Sequence, residues 1–219
     1  MLMFLTVLIM LGVAYVYWNE GLFTAFTMFV NVFLAGFIAF NFWEPLANQL
    51  EGTNLETYGD ALCLVILFSI ALGLLRFVVN QFTPTKIEFP GLVQNLVGAV
   101  FGLATGYLAA GFLVCALQTL PWHENFMGFD PTYASDQGMR DVLPSDRVWL
   151  ALMHRASAYA LANRPNPNPG DSISPYDKYQ TFDPKGSFEL RYWRYRRYGD
   201  NRPPLPYRGE FDKALGRGQ

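Results

Sequence analysis

Four long uncharged stretches dominate the first 120 residues of the chain. They cover residues 1–19, 21–43, 61–75 (continuing past Arg76 to residue 81) and 89–122. A helix needs roughly 20 apolar residues to cross a hydrocarbon core of about 30 Å, whereas helices of soluble proteins usually run about 8–20 residues. The pattern therefore predicts four membrane-spanning helices.

We predict spans at Leu2–Trp18, Leu22–Trp43, Asp60–Gln81 and Gly91–Leu120. The first span has no basic region before it and no small-x-small cleavage pattern after it, so we expect a retained anchor rather than a cleaved signal. The turn at residues 19–21 is short enough to make the first two spans antiparallel neighbours. The predicted fold class is an all-α membrane protein.

Behind the membrane domain (1–120) we predict two further regions. Residues 121–163 read as a linker followed by an amphipathic helix, from 146 to 163, with Ser145 as its N-cap. We expect this helix to lie flat on the bilayer or to pack on the acidic loop between spans two and three. Residues 164–219 are rich in Pro, Asn, Gly and Arg, which predicts an extended or disordered tail. The apolar face of the helix comprises Trp149, Leu152, Met153, Ala156, Tyr159 and Ala160.

Basic residues are distributed very unevenly. Of the 16 lysines and arginines, two precede residue 121, namely Arg76 and Lys86, and both lie beside the loop between spans three and four. Positive residues near span ends favour the cytoplasm. We therefore expect this loop to be cytoplasmic, and both termini and the whole tail to lie outside the cytoplasm.

The fourth span carries the strongest local pattern, which is Gly98, Gly102 and Gly106 at a spacing of four, with Phe101 between them. Glycines four residues apart share one helix face and let another backbone approach closely, which is a common way for membrane helices to pack. We predict a helix-packing face. The partner is a helix of this chain, of a second copy or of another membrane protein.

The order of these features resembles the colicin V production protein (CvpA) family. The resemblance covers about residues 1–120 and includes the run Val97-Gly-Ala-Val-Phe101-Gly-Leu-Ala-Thr-Gly106. The family often has arginine around the first turn and beside the glycine motif, where this chain has Asn19-Glu20, Gln94-Asn95 and Thr105. The resemblance implies a bacterial inner-membrane protein linked to colicin export and envelope maintenance, with an outward C-terminus and no established reaction.

Enzymatic activity is not favoured by the sequence, and we expect no cofactor and no metal. Some members of the resembled family carry a trypsin-like domain, but this tail is too short for one, and His154 and Ser157 have no Gly-x-Ser-x-Gly elbow. The adjacent pair His123-Glu124 is a weak metal-site pattern without a third ligand. The expected function is that of a scaffold or accessory factor of export.

A small oligomeric channel or transporter is the alternative. Polar residues within or at the ends of spans usually face a bundle interior or a pore, and an oligomer around the glycine face would be needed to form one. Against this alternative, no span has an ionisable residue at mid-depth and there is no inverted repeat. The polar residues in question are Asn31, Asn80, Gln94, Asn95 and Gln118.

The tail offers two further candidates for contacts. Interleaved arginines and aromatics at 191–198 would suit nucleic acid, but the expected topology excludes it, so anionic lipid or a cell-wall polymer is the better partner. Cys63 and Cys115 are too few for a disulfide framework and are most simply apolar core residues, with a bridged or redox-active pair as the alternative. The candidate surface contacts are Arg191, Arg194, Arg196 and Arg197.

Overall fold

The architecture is that of a computed structural model of the 219-residue chain. The structure describes residues 2–50, 53, 55, 58–82, 91–122, 127, 144–158, 182–183, 188 and 191–192. Within these residues all regular secondary structure is helical. The predicted all-α, four-span fold class is therefore confirmed.

Four helices are long and apolar enough to cross a membrane. They are α1 (Leu2–Glu20), α2 (Leu22–Ala47), α3 (Gly59–Phe82) and α4 (Gly91–Gln118). A short 3₁₀ turn follows α2, and a fifth helix, α5 (Ser145–Ala158), follows the spans. The four predicted spans are present, and the ends of the helices differ from the prediction by a few residues.

The first connection is tighter than predicted, because Asn19 and Glu20 continue α1 and Gly21 alone separates it from α2. Gly21 has φ +93°, and a Cβ atom there would lie 2.5 Å from Gln94 Nε2. Glycine is suited to both conditions, since it adopts positive φ without steric cost and has no Cβ. The chain reverses direction in a single residue.

Helix α2 extends further than predicted and passes through Pro45 to Ala47. Proline has no amide hydrogen, so it removes one helical hydrogen bond. Since Pro45 lies in the last turn of α2, the helix ends shortly after it.

The spans pack in the order α1–α4–α2–α3, and α1 and α3 share no comparable interface. Positions near the end of α1 face the beginning of α4, so these two helices are antiparallel. We call the end of the bundle that holds the α1–α2 turn the turn end. The opposite end, from which the chain leaves α4 at Gln118, is the tail end.

Helix α5 packs on α4 and α2 near the tail end. We predicted that this helix lies flat on the bilayer or packs on the acidic loop, and among the described residues it packs on the spans themselves. Trp149, Met153 and Ala156 of the predicted apolar face are buried, while residues 159–163 of the predicted helix lie outside the described residues.

Large apolar side chains remain exposed along α1 and α3 and along the first half of α4. Exposed apolar helix faces are expected where a span meets lipid hydrocarbon. The most exposed of them include Phe4, Tyr15, Leu74, Phe77, Phe82, Leu92 and Val100.

Candidate functional site: the glycine contacts

The predicted glycine face of α4 lies directly against the backbone of α1. A Cβ atom on Gly98 would lie 2.8 Å from the Tyr17 carbonyl oxygen. On Gly102 it would lie 2.8 Å from Ala14 Cα, and on Gly106 2.7 Å from Met10 Cα. All three distances are shorter than carbon–carbon or carbon–oxygen van der Waals contacts, so no residue with a Cβ fits without separating the helices. We call this contact the α1–α4 seam.

Phe101 occupies a different side of α4 from the glycines that flank it in sequence. Its ring makes edge-on contacts with Phe26 and Phe29 of α2, at centroid distances of 5.3 and 6.0 Å. Aromatic pairs prefer this geometry. Phe101 therefore joins α4 to α2 rather than to α1.

A second pair of glycines, Gly36 on α2 and Gly111 on α4, lies against the first turns of α5 at Trp149. A Cβ atom on Gly36 would lie within van der Waals overlap of Trp149 Cη2. One on Gly111 would lie 2.9 Å from Trp149 Cβ and would also overlap the Ser145 carbonyl oxygen. Trp149 is fully buried. We call this contact the Trp149 socket.

The socket lies on a different side of α4 from the seam. Gly111 follows Gly106 by five residues, which corresponds to about 140° around a helix at roughly 100° per residue. Gly111 also precedes the last residue of α4, Gln118, by seven residues, or about 10 Å along the axis. The Trp149 ring therefore lies between the spans and not above them.

Sequence reasoning did not identify the socket. Its signal was present as two isolated small residues in apolar spans, Gly36 and Gly111, together with a tryptophan on the apolar face of an amphipathic helix. No spacing rule connects these three positions, since α2, α4 and α5 meet only in the fold.

Polar groups of the first turn of α5 are buried beside the socket. The Ser145 hydroxyl lies 3.2 Å from the Thr6 hydroxyl of α1, rather than capping its own helix as predicted. The amide Nε2 of Gln118 donates a hydrogen bond to Asp146 Oδ2 at 3.1 Å. A carboxylate in the first turn of a helix is favoured by the helix dipole. These contacts tie α5 to α1 and α4.

Both cysteines lie at the tail end as buried free thiols, so the bridged pair is not formed in this structure. Cys115 is fully buried beneath α5, and its Sγ atom lies 3.8 Å from the Asp146 carbonyl oxygen. The observed environment corresponds to the expectation that the two residues are part of the apolar core.

Described residues of the predicted tail also contact the tail end of the bundle. The Phe188 ring lies 5.8 Å from that of Phe40, and Tyr192 lies 6.2 Å from Trp43. Burial, together with the nearby negative charge of Asp60, raises the pKa of the Tyr192 phenol well above its usual 10.0. The described part of the tail is thus attached to α2.

Arg191, one of the predicted surface contacts, forms an ion pair with Glu44 of α2 at 3.2 Å, and both side chains are about half exposed. An exposed pair of this kind contributes about 1 kcal/mol or less. The other three arginines, Arg194, Arg196 and Arg197, lie outside the described residues, as does the pair His123-Glu124.

Comparisons with known proteins test the resemblance that the glycine motif suggested. Neither the search of curated proteins nor that of solved structures gave a match. The sequence profile described as colicin V production protein, however, matches residues 3–132. This range contains all four spans and the whole α1–α4 seam and makes up more than half of the chain. The chain therefore belongs to the colicin V production protein family.

Proposed function

We propose that this chain is a non-enzymatic scaffold or accessory factor for export and envelope integrity in a bacterial inner membrane. The observation that carries the proposal is the α1–α4 seam. Backbone-to-backbone contact at three successive turns joins the first and last spans, and such contact leaves no room for helices to slide or for a solute to pass between them. A rigid bundle of this kind is suited to holding a partner.

Complementation of cells that lack the gene tests this proposal. Toxin secretion and survival in detergent are measured with the parent chain, with Gly102→Leu and with Gly12→Leu. Gly12 is the matched control because a Cβ atom at that position meets nothing within 4 Å. We expect Gly102→Leu to lose complementation and Gly12→Leu to retain it. Full activity of Gly102→Leu at parental protein levels would refute a role for the seam.

A small channel is the second candidate, and two buried polar residues in the spans favour it. Asn31 and Thr105 are 4% and 3% exposed, and polar groups inside spans often line a pore. Thr105, however, donates its hydroxyl to the Phe101 carbonyl of its own helix, and the glycine face around which a pore would assemble is filled by α1. Solute flux or conductance from purified protein in liposomes would support the channel, and its absence favours the scaffold.

A partner helix or a second copy is proposed to contact span four on a side that is free of the seam. In the turn-end half of α4 an apolar strip is exposed, and it continues the side on which α5 covers the tail-end half. Thiol cross-linking from this strip, with Gly12 as the comparison site, tests the proposal. The strip comprises Leu92, Val93, Leu96 and Val100.

The orientation and the tail contacts are further parts of the proposal. We propose that both termini lie outside the cytoplasm, which reporter fusions after residues 52, 86 and 170 test directly. We also propose that the arginine-rich segment around Arg194 binds anionic lipid or cell-wall polymer, since clustered basic residues are attracted to such surfaces. Salt-insensitive association of the chain with anionic vesicles would count against an electrostatic contact.

A further inference from the structure

The described residues of the tail form a strap across α5 and α2. Phe182 is held at its backbone by two side chains of α5. Its amide donates to the Ser157 hydroxyl at 2.8 Å, and His154 Nδ1 donates to its carbonyl at 2.8 Å. At the same time its ring packs edge-on against Phe40 of α2, with the centroids 5.2 Å apart. Phe182 thus connects the second half of α5 to α2.

The other end of the strap is attached to the last turns of α2. Phe188 is 5% and Tyr192 4% exposed, and both rings contact Trp43. Arg191, between them, pairs with Glu44. The strap therefore contacts α5 at its first described residue and α2 at its last ones.

The docked position of α5 buries apolar groups well but leaves two buried polar atoms, one on α5 and one on α4, without a hydrogen-bond partner among the described residues. Trp149 Nε1 and Gln118 Oε1 are buried and have no hydrogen-bond partner among the described residues. An unsatisfied buried polar group costs about 1–3 kcal/mol. Docking of α5 is thus favoured by packing and opposed by two polar groups that water would satisfy.

The opposite face of α5 is compatible with a second position. Ala151 and Arg155 are exposed, and Arg147 and His154 are half-buried on the same side. An amphipathic helix with a basic face can lie in the membrane interface. The same helix is therefore suited both to the socket and to the membrane surface.

We propose that α5 is a releasable wedge and that the strap holds it in the Trp149 socket. When the strap detaches from α2, α5 moves out of the socket. The Gly36–Gly111 surface and the Cys115 thiol then become accessible from the tail end. This device goes beyond the scaffold function, because it makes the bundle surface responsive to what happens at the tail. It does not depend on which function the bundle serves.

Cys115 provides a built-in reporter for release. In the full-length chain with Cys63→Ser, reconstituted in liposomes, the rate of maleimide labelling measures how often α5 uncovers Cys115. We expect Phe188→Ala to raise this rate at least about tenfold, because it removes a buried ring from the strap. Arg191→Ala should raise it by about twofold, the factor that corresponds to roughly 0.5 kcal/mol for an exposed ion pair.

Two controls make the result decisive. Phe4→Ala removes a ring that is 74% exposed and should leave labelling unchanged. Gly111→Ala disrupts the socket directly and should raise labelling whatever the strap does. If Gly111→Ala accelerates labelling while Phe188→Ala and Arg191→Ala do not, the strap does not hold the wedge and the proposal is wrong.

A second measurement separates release from general unfolding. Thr6→Cys and Ser145→Cys, in a chain with Cys63→Ser and Cys115→Ser, should form a disulfide, because the native hydroxyls lie 3.2 Å apart. With Arg191→Ala, an exposed change that leaves the core intact, we expect slower disulfide formation and an unchanged melting temperature. An unchanged rate of disulfide formation would overturn the proposal.

Discussion

The α1–α4 seam and the Trp149 socket both depend on glycine, yet they hold different kinds of contact. In the seam three glycines at successive turns of α4 lie against the backbone of α1, so the helical repeat sets the positions of all three contacts. In the socket two glycines on different helices receive one helix: Gly36 lies against the Trp149 ring, and Gly111 lies against the Ser145 carbonyl group and Trp149 Cβ. The seam joins span to span, whereas the socket holds a helix that follows the spans. Repetition at three turns of α4 predicts that the first contact is rigid, and the second is the one that we propose to be releasable.

The largest effect is expected from a large side chain in the seam. Gly102→Leu places its Cβ atom 2.8 Å from Ala14 Cα, and backbone on both sides prevents relief. We expect a loss of about 3 kcal/mol or more, seen as a lower melting temperature in detergent. Gly12→Leu should melt like the parent. Equal melting temperatures of Gly102→Leu and Gly12→Leu would show that the seam is not rigid.

A smaller effect is expected in the socket. Gly111→Ala overlaps the Ser145 carbonyl oxygen, so α5 must shift, with an expected cost of about 2 kcal/mol. The disulfide between Thr6→Cys and Ser145→Cys should form more slowly, while the seam and the melting temperature change little. Gly73→Ala is the control, since its Cβ atom meets nothing within 4 Å. A fall in melting temperature as large as that of Gly102→Leu would mean that the seam and the socket unfold as one unit.

The polar part of the socket should contribute less. Asp146→Ala leaves the buried Gln118 amide without its 3.1 Å partner, which costs about 1–2 kcal/mol. Asp146→Asn keeps an acceptor oxygen and should therefore retain most of the stability that Asp146→Ala loses. The measurement is again the cross-link between positions 6 and 145. If the asparagine variant behaves like alanine, the hydrogen bond is not the cause.

The smallest effect concerns the strap at alkaline pH. The pKa of Tyr192 is raised in the folded chain by burial and by Asp60, so the folded state keeps the proton after the unfolded state has lost it. This stabilisation is complete below pH 10 and is lost as pH rises through the folded pKa. Labelling of Cys115 should therefore increase above pH 10, after correction for thiol reactivity. In Tyr192→Phe that increase should be absent.

The membrane part of the fold could be predicted because one physical rule, the length of an uncharged run, decides it. The glycine spacing of α4 also indicated a packing face, and the structure adds that its partner is α1 of the same chain. The position of α5 could not be predicted. Its apolar face was evident, but an apolar face fits lipid and protein equally well, and Gly36 and Gly111 carry no local signal.

The tail shows the same limit. A sequence rich in Pro and Arg predicts little order, because its average composition offers few groups for burial. Phe182, Phe188 and Tyr192 are nevertheless packed on α2, since three aromatic rings suffice where a cluster of rings already exists at Phe40 and Trp43. Composition describes a segment as a whole, and the contacts are made by individual residues.

The single-residue turn at Gly21 has a consequence for biogenesis. A turn of one residue favours insertion of α1 and α2 as one hairpin, but α1 makes little contact with α2 and packs mainly on α4. Its partner glycines begin about 80 residues later, which at roughly 5–20 residues per second is about 4–16 s of synthesis. Until then the backbone of α1 has no seam. Span α1 thus acquires its main protein partner only with α4, so that assembly of this four-span bundle is complete only when α4 has been inserted.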